Sequence, residues 1–84
     1  MPEFLLELYM SRLDETEPGA TTDSARTAAE ALTREGRTVQ CIRSIFVPDD
    51  ETCFLLFEAP TADDVVESAR RAGLHHERAP LAIR

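Results

Sequence analysis

Glu7, Tyr9, Cys41, Arg43 and Glu58, with the pair His75-His76, are the side chains whose types admit binding or proton chemistry in this sequence. Neutral imidazole is a common ligand for nickel and zinc, so His75-His76-Glu77 is a candidate metal site. Adjacent residues of an extended chain point oppositely, so one ion would need a turn there and ligands from elsewhere. Tetrahedral sites draw on about three or four convergent donors, and a solvated loop is the simpler reading of the pair. The acidic residues Asp14, Glu15 and Glu17, like Asp49, Asp50 and Glu51, lack the ligand spacing and sixth-position glycine of a calcium loop. Carboxylates beside a guanidinium, as Glu7 and Glu58 beside Arg43, form either an ion-pair network or a site in which a carboxylate serves as acid, base or ligand. Enzyme signatures are absent: there is no Gly-rich phosphate loop, no G-x-S-x-G, no H-E-x-x-H and no C-x-x-C. A non-enzymatic binding role is the expectation.

The elements that must position these residues follow from periodicity. Phe4, Leu6, Leu8 and Met10 alternate with Leu5, Glu7 and Tyr9, which predicts a strand with one apolar face and one mixed face. Ser11 to Ala20 is polar, ends in Pro18-Gly19 and reads as a loop. Thr21 or Thr22 is expected to cap a helix whose buried stripe is Ala25, Ala28, Ala29 and Leu32, with Gly36 as its stop. Two runs rich in β-branched and aromatic residues, between Arg37 and Pro60, flank Pro48-Asp49-Asp50-Glu51 and predict a hairpin. Thr61 to Asp64 reads as a capping box, followed by a stripe of Ala62, Val65, Val66, Ala69 and Ala72 and a stop at Gly73. Arg78 to Ile83 is expected to be a last strand, confined to a sheet edge by Pro80. The order strand, helix, strand, strand, helix, strand predicts a ferredoxin-like α+β domain over residues 1–84. Its four-stranded antiparallel sheet would carry two helices on one face, with strands one and three central.

With Asp49 and Asp50 at the hairpin tip, Phe46 is expected to face Cys53, Arg43 to face Leu56 and Cys41 to face Glu58. Alternation then sends Ile42, Ser44, Phe46, Cys53, Leu55 and Phe57 beneath the helices. Val39, Cys41, Arg43, Ile45, Phe54, Leu56 and Glu58 join Leu5, Glu7 and Tyr9 on the open face. That face is too apolar for solvent, which predicts a homodimer formed through it. The two cysteines fall on opposite faces in this register, so no disulfide is expected between them.

The chain has 84 residues, a formal charge of −7 and nine basic residues, all arginine and scattered. That balance argues against nucleic acid, whose binding rests on neutralising phosphates. No apolar stretch approaches the roughly 20 residues of a membrane span, and the start lacks the basic region of a secretory signal. A cytoplasmic protein with reduced thiols is expected, without nucleic-acid or membrane partners.

The opening Met1-Pro2 with Phe4-Leu-Leu-Glu7, Arg43-Ser44, Cys53, Phe57-Glu58-Ala59-Pro60 and Ala69-Arg-Arg-Ala-Gly-Leu74 together resemble a family of small bacterial ferredoxin-like domains of unknown function, some of whose members are described as nickel-binding. The resemblance implies the same fold, a dimer and a divalent transition metal such as nickel. The nickel-binding members carry histidine in the first strand, where this chain has Glu7-Leu8-Tyr9. That leaves Cys41, Cys53, His75 and His76 as the evident ligands. The alternative function is a small enzyme or ligand carrier, similar to dimeric α+β-barrel proteins, with a pocket between sheet and helices.

Overall fold

The computed structural model describes residues 1–11 and 17–84. In chain order the elements are β1 (Glu3–Tyr9), α1 (Glu17–Arg34), β2 (Gln40–Val47), a 3-10 turn at Pro48–Asp50, β3 (Thr52–Glu58), α2 (Ala62–Arg71) and β4 (Leu81–Ala82). Every strand pair is antiparallel, and the sheet order is β2-β3-β1-β4. This is the expected ferredoxin-like arrangement, with β1 and β3 in the middle. No helix among the described residues is long and apolar enough to cross a membrane.

Alternation decides which side of the sheet is covered. Phe4, Leu6, Leu8 and Met10 from β1 and its end are buried with Cys53, Leu55 and Phe57 of β3. Ala25, Ala29 and Leu32 of α1 and Val65 and Ala69 of α2 close over them. The small side chains let the helix backbones approach the sheet, and the space between sheet and helices is filled by fully buried side chains such as Phe57, Leu6, Leu32 and Val65. On α2 the buried stripe takes Ser68 rather than Val66, which is 36% exposed. The Ser68 hydroxyl is buried with no hydrogen-bond partner. Since an orphaned buried hydroxyl costs more than a methyl there, Ser68→Ala is expected to raise the thermal midpoint.

α1 begins at Glu17, so the end of the expected loop, residues 17–20, is helix; Asp14 and Glu15 lie outside the described residues. Proline is tolerated in a first helical turn because its missing N–H has no partner there anyway, so Pro18 does not delay the start. Thr21 and Thr22 are consequently not caps. Both are buried, and the Thr22 hydroxyl donates to the Ser44 Oγ of β2 at 2.8 Å. Gly19 is helical, and a Cβ built there meets nothing within 4 Å. Gly19→Ala is therefore expected to stabilise the domain by about 0.5–1 kcal/mol in chemical denaturation, by removing backbone freedom from the unfolded chain. The expected stop at Gly36 holds: its φ of 96° is left-handed.

The hairpin register agrees with expectation from Val47↔Thr52 to Arg43↔Leu56, then slips. A bulge between Cys41 and Arg43 makes Ile42 the extra residue, so Cys41 faces Phe57 and Gln40 faces Glu58. One inserted residue reverses the alternation beyond it. Val39 and Cys41, expected on the open face, therefore join the core at 4% and 5% exposure. Both cysteines are buried beneath the helices and free. They are kept apart by distance rather than by lying on opposite faces, because Phe57, the partner of Cys41, is four residues from Cys53, about 13 Å along β3.

α2 starts as expected, with the Thr61 hydroxyl accepting from the Asp64 amide. Its far end is tied to α1 by a charge network. Arg70 and Arg71 both donate to Glu67, and Arg71 also donates to Glu35 at 2.6 Å. Hydrogen bonds from Arg70 and then Arg71 pull the Glu67 carboxyl from 4.5 down to about 2. A carboxyl depressed on folding adds stability above its unfolded value and loses it as pH falls through the folded one. Urea midpoints should therefore drop between pH 4.5 and about 2, and Glu67→Gln should show a shallower drop over that window.

β4 is only two residues long, shorter than the expected Arg78 to Ile83. Proline at position 80 removes a ladder donor just before it. Backbone pairing continues past it, from the Ile83 amide to the Glu3 carbonyl and from the Glu3 amide to the Arg84 carbonyl.

Candidate functional site

The sheet face away from the helices is built in cross-strand rows. Val47, Thr52 and Tyr9 form the first, and Ile45, Phe54 and Glu7 the second. Arg43, Leu56, Leu5 and Leu81 form the third, and Gln40, Glu58 and Glu3, with Ile83 beside Glu3, the fourth. Leu5, Phe54 and Leu56 at the centre are half-buried. Around them Tyr9, Leu81, Ile45 and Ile83 are 74%, 62%, 49% and 46% exposed. A solvated sheet face should alternate to polar residues; this one presents a contiguous apolar patch.

Glu7, Tyr9, Arg43 and Glu58 all lie on this face, as alternation predicts, and Cys41 does not. The bulge moves Cys41 into the core, where burial pushes its thiol up to about 11 against the pull of Arg26. At neutral pH it stays a protonated thiol, poorly suited to be a nucleophile or metal ligand. Arg43, Glu7 and Glu58 share the face without meeting. Arg43 stands on β2 in the third row and Glu7 on β1 in the second. Two strand spacings and one row separate them, about 12 Å between Cα atoms. Among the described residues no ion pair involves Arg43 or Glu7, whereas Glu58 lies 4.0 Å from the Met1 ammonium and Glu3 lies 3.8 Å from Arg84.

A groove of about 580 Å³ opens at the end of β1, between the hairpin tip and the segment after α2. Glu7, Tyr9, Glu51, His75, His76 and Arg78 are among its lining residues. β4 pairs with β1 only at Phe4 and Leu5, which leaves the outer edge of the later β1 residues to this segment. The Tyr9 hydroxyl donates to the Glu51 carboxylate at 3.3 Å, and the Met10 amide to the Glu51 carbonyl at 2.8 Å. Glu51 itself is held at a left-handed φ of 48°. His76 Nδ1 is 2.8 Å from the Arg78 carbonyl. A carbonyl only accepts, so Nδ1 carries the proton and a neutral ring presents its Nε2 lone pair as the acceptor. The groove thus brings Glu7 and Tyr9 beside the histidine pair and the acidic hairpin tip, a convergence no spacing in the sequence announces.

Among the described residues, no three histidine, cysteine, aspartate or glutamate side chains converge to hold a metal ion. The cysteines are in the core, and the two histidines line the groove. A second groove, of about 520 Å³, lies between α1 and β2, floored by Ala29, Val39 and Cys41 and rimmed by Arg26 and Arg34.

Leu81 and Ile83 are exposed apolar residues of the open face that sequence reasoning missed. Their two-residue spacing signalled a shared face, but which face depends on the Leu5↔Leu81 register. In comparisons with known proteins, no family model, no curated protein and no solved structure matches the chain.

Proposed function

We propose that the chain is a small cytoplasmic binding protein whose working unit is a homodimer joined through the open face of the sheet, with the groove at the end of β1 as its ligand site. The observation that carries this reading is the apolar character of that face, with Leu5, Phe54 and Leu56 ringed by the exposed Ile45, Leu81 and Ile83. A domain of 84 residues buries a modest share of its surface alone, and a second copy supplies the missing cover. Sedimentation velocity at micromolar concentration tests it: a dimer is expected, and a monomer throughout that range would sink the reading. The charge of −7 disfavours nucleic acid as a partner, and two free, buried thiols suit a reducing compartment.

The groove suits a small polar ligand, since it offers an imidazole acceptor, carboxylates and a phenol at one mouth. If the ligand is a nickel or zinc ion, as the family resemblance implies, both copies contribute donors, because the described residues of one chain offer no group of three. Titration calorimetry of the dimer with nickel, zinc and copper separates the two cases. Heat that disappears in the His75→Ala/His76→Ala variant supports an ion, and flat traces at neutral pH leave the groove to an organic ligand.

A second reading, a carrier of a small amphipathic acid, is favoured by the groove between α1 and β2 rather than by any space beneath the helices. Its apolar floor and two guanidinium groups fall within the usual size and composition of a ligand pocket. Amide shifts of Arg26 and Cys41 on adding an aromatic carboxylate would support it, and an unchanged spectrum would remove it.

A further inference from the structure

Building on the homodimer proposed above, we infer that the two copies are held in register by a reciprocal ion pair, Arg43 of each chain against the partner's Glu7. The two-fold axis crosses β3 between Phe54 and Leu56.

Covering the open face takes water from whatever charges it carries, and a buried charge is costly unless it is paired. Arg43 and Glu7 are the two charges that flank the apolar centre. Arg43 shares a row with Leu56, Leu5 and Leu81, and Glu7 shares one with Phe54 and Ile45. Among the described residues neither has an ion-pair partner within its own chain. Their strands are separated by β3, and about 12 Å lies between them. The pairing must therefore come from the second copy.

Symmetry then fixes where the axis passes. In an isologous dimer, if Arg43 meets the partner's Glu7, Glu7 meets the partner's Arg43. The axis of a face-to-face dimer lies in the plane between the sheets, through the midpoint of the two positions and perpendicular to the line joining them. Midway between β2 and β1 is β3, and midway between the third and second rows is the gap between Leu56 and Phe54. The geometry that neutralises both charges is thus the one that centres the interface on its apolar residues. The other carboxylates do not offer this. Glu3 already stands 3.8 Å from Arg84 of its own chain. The partner's Glu58 already faces the Met1 ammonium of its own chain.

Charge reversal tests the register. R43E and E7R are each expected to weaken self-association at least about tenfold in sedimentation equilibrium, because each sets two like-charge contacts in the interface. The double variant R43E/E7R is expected to recover the wild-type dissociation constant to within about threefold, since it restores both pairs with their signs exchanged. Mixing the two single variants is expected to give a heterodimer, one chain then carrying both carboxylates and the other both guanidiniums. Both positions are exposed in the single chain, and circular dichroism checks that each variant is folded. A wild-type dimer whose single variants associate as tightly as it does, without preference for each other on mixing, would overturn the register and leave the homodimer standing. A wild-type monomer would overturn both.

Discussion

Leu56→Glu is expected to yield a folded monomer, with the dimer dissociation constant raised at least about thirtyfold, or about 2 kcal/mol. Leu56 stands on the middle strand β3, between Arg43 and Leu5, at the centre of the open face. Its neighbour Phe57 points into the core, so Leu56 points away from both helices. Within one chain the exchange trades a half-buried leucine for a residue of poorer strand propensity, a penalty below about 1 kcal/mol. Between two chains it does much more. The position lies next to the two-fold axis inferred above, so two carboxylates would face each other where water is excluded. A linked effect gives a second measurement. Association stabilises the folded state by mass action, so the wild-type thermal midpoint should rise with protein concentration and that of Leu56→Glu should not. A variant that sediments as a dimer would rule out this face as the interface.

The framework of the fold was legible because local signals agreed with it. The alternation of Phe4, Leu6 and Leu8 against Leu5, Glu7 and Tyr9 assigned both faces of β1, and Gly36 and Gly73 marked helix ends that need left-handed backbone. The placement of Glu7, Tyr9, Arg43 and Glu58 on the open face followed from alternation alone. Where reading failed, the deciding contacts were remote in sequence. Nothing in Cys41-Ile42-Arg43 announces a bulge. The structure shows it where Val39 and Cys41 turn into the core and Arg26 of α1 donates to the Ile42 carbonyl at 3.3 Å. Pro18-Gly19 carried the composition of a loop, yet the first turn of a helix accepts proline at no hydrogen-bond cost. The groove at the end of β1 was illegible for the same reason. It is assembled from β1, the hairpin tip and the segment around His75 and His76, which meet only in the folded chain.

Phe57→Ala, one residue further along β3, should have the opposite outcome and lose the fold itself. Phe57 is the largest of the fully buried side chains, on a middle strand that pairs with Phe4 on one side and Cys41 on the other. Removing a buried phenyl ring costs about 3–5 kcal/mol, the transfer term plus the cavity left behind. The cavity has little prospect of closing. Its floor is held by hydrogen-bonded ladders on both edges of β3. The helices above contribute alanines at 25, 29 and 69, side chains too short to swing into the space. Against a total stability of about 5–15 kcal/mol for a domain of ordinary size, and less for a small one, such a loss leaves a marginal fold. Urea denaturation followed by far-ultraviolet circular dichroism should show the midpoint falling sharply, with Phe57→Leu intermediate because it restores part of the volume. The two variants on neighbouring residues therefore separate assembly from folding. Leu56→Glu should keep its denaturation transition and lose the dimer, whereas Phe57→Ala should lose the transition first. If Phe57→Ala unfolds within about 1 kcal/mol of the wild type at equal concentration, β3 does not anchor the core in the way its burial requires.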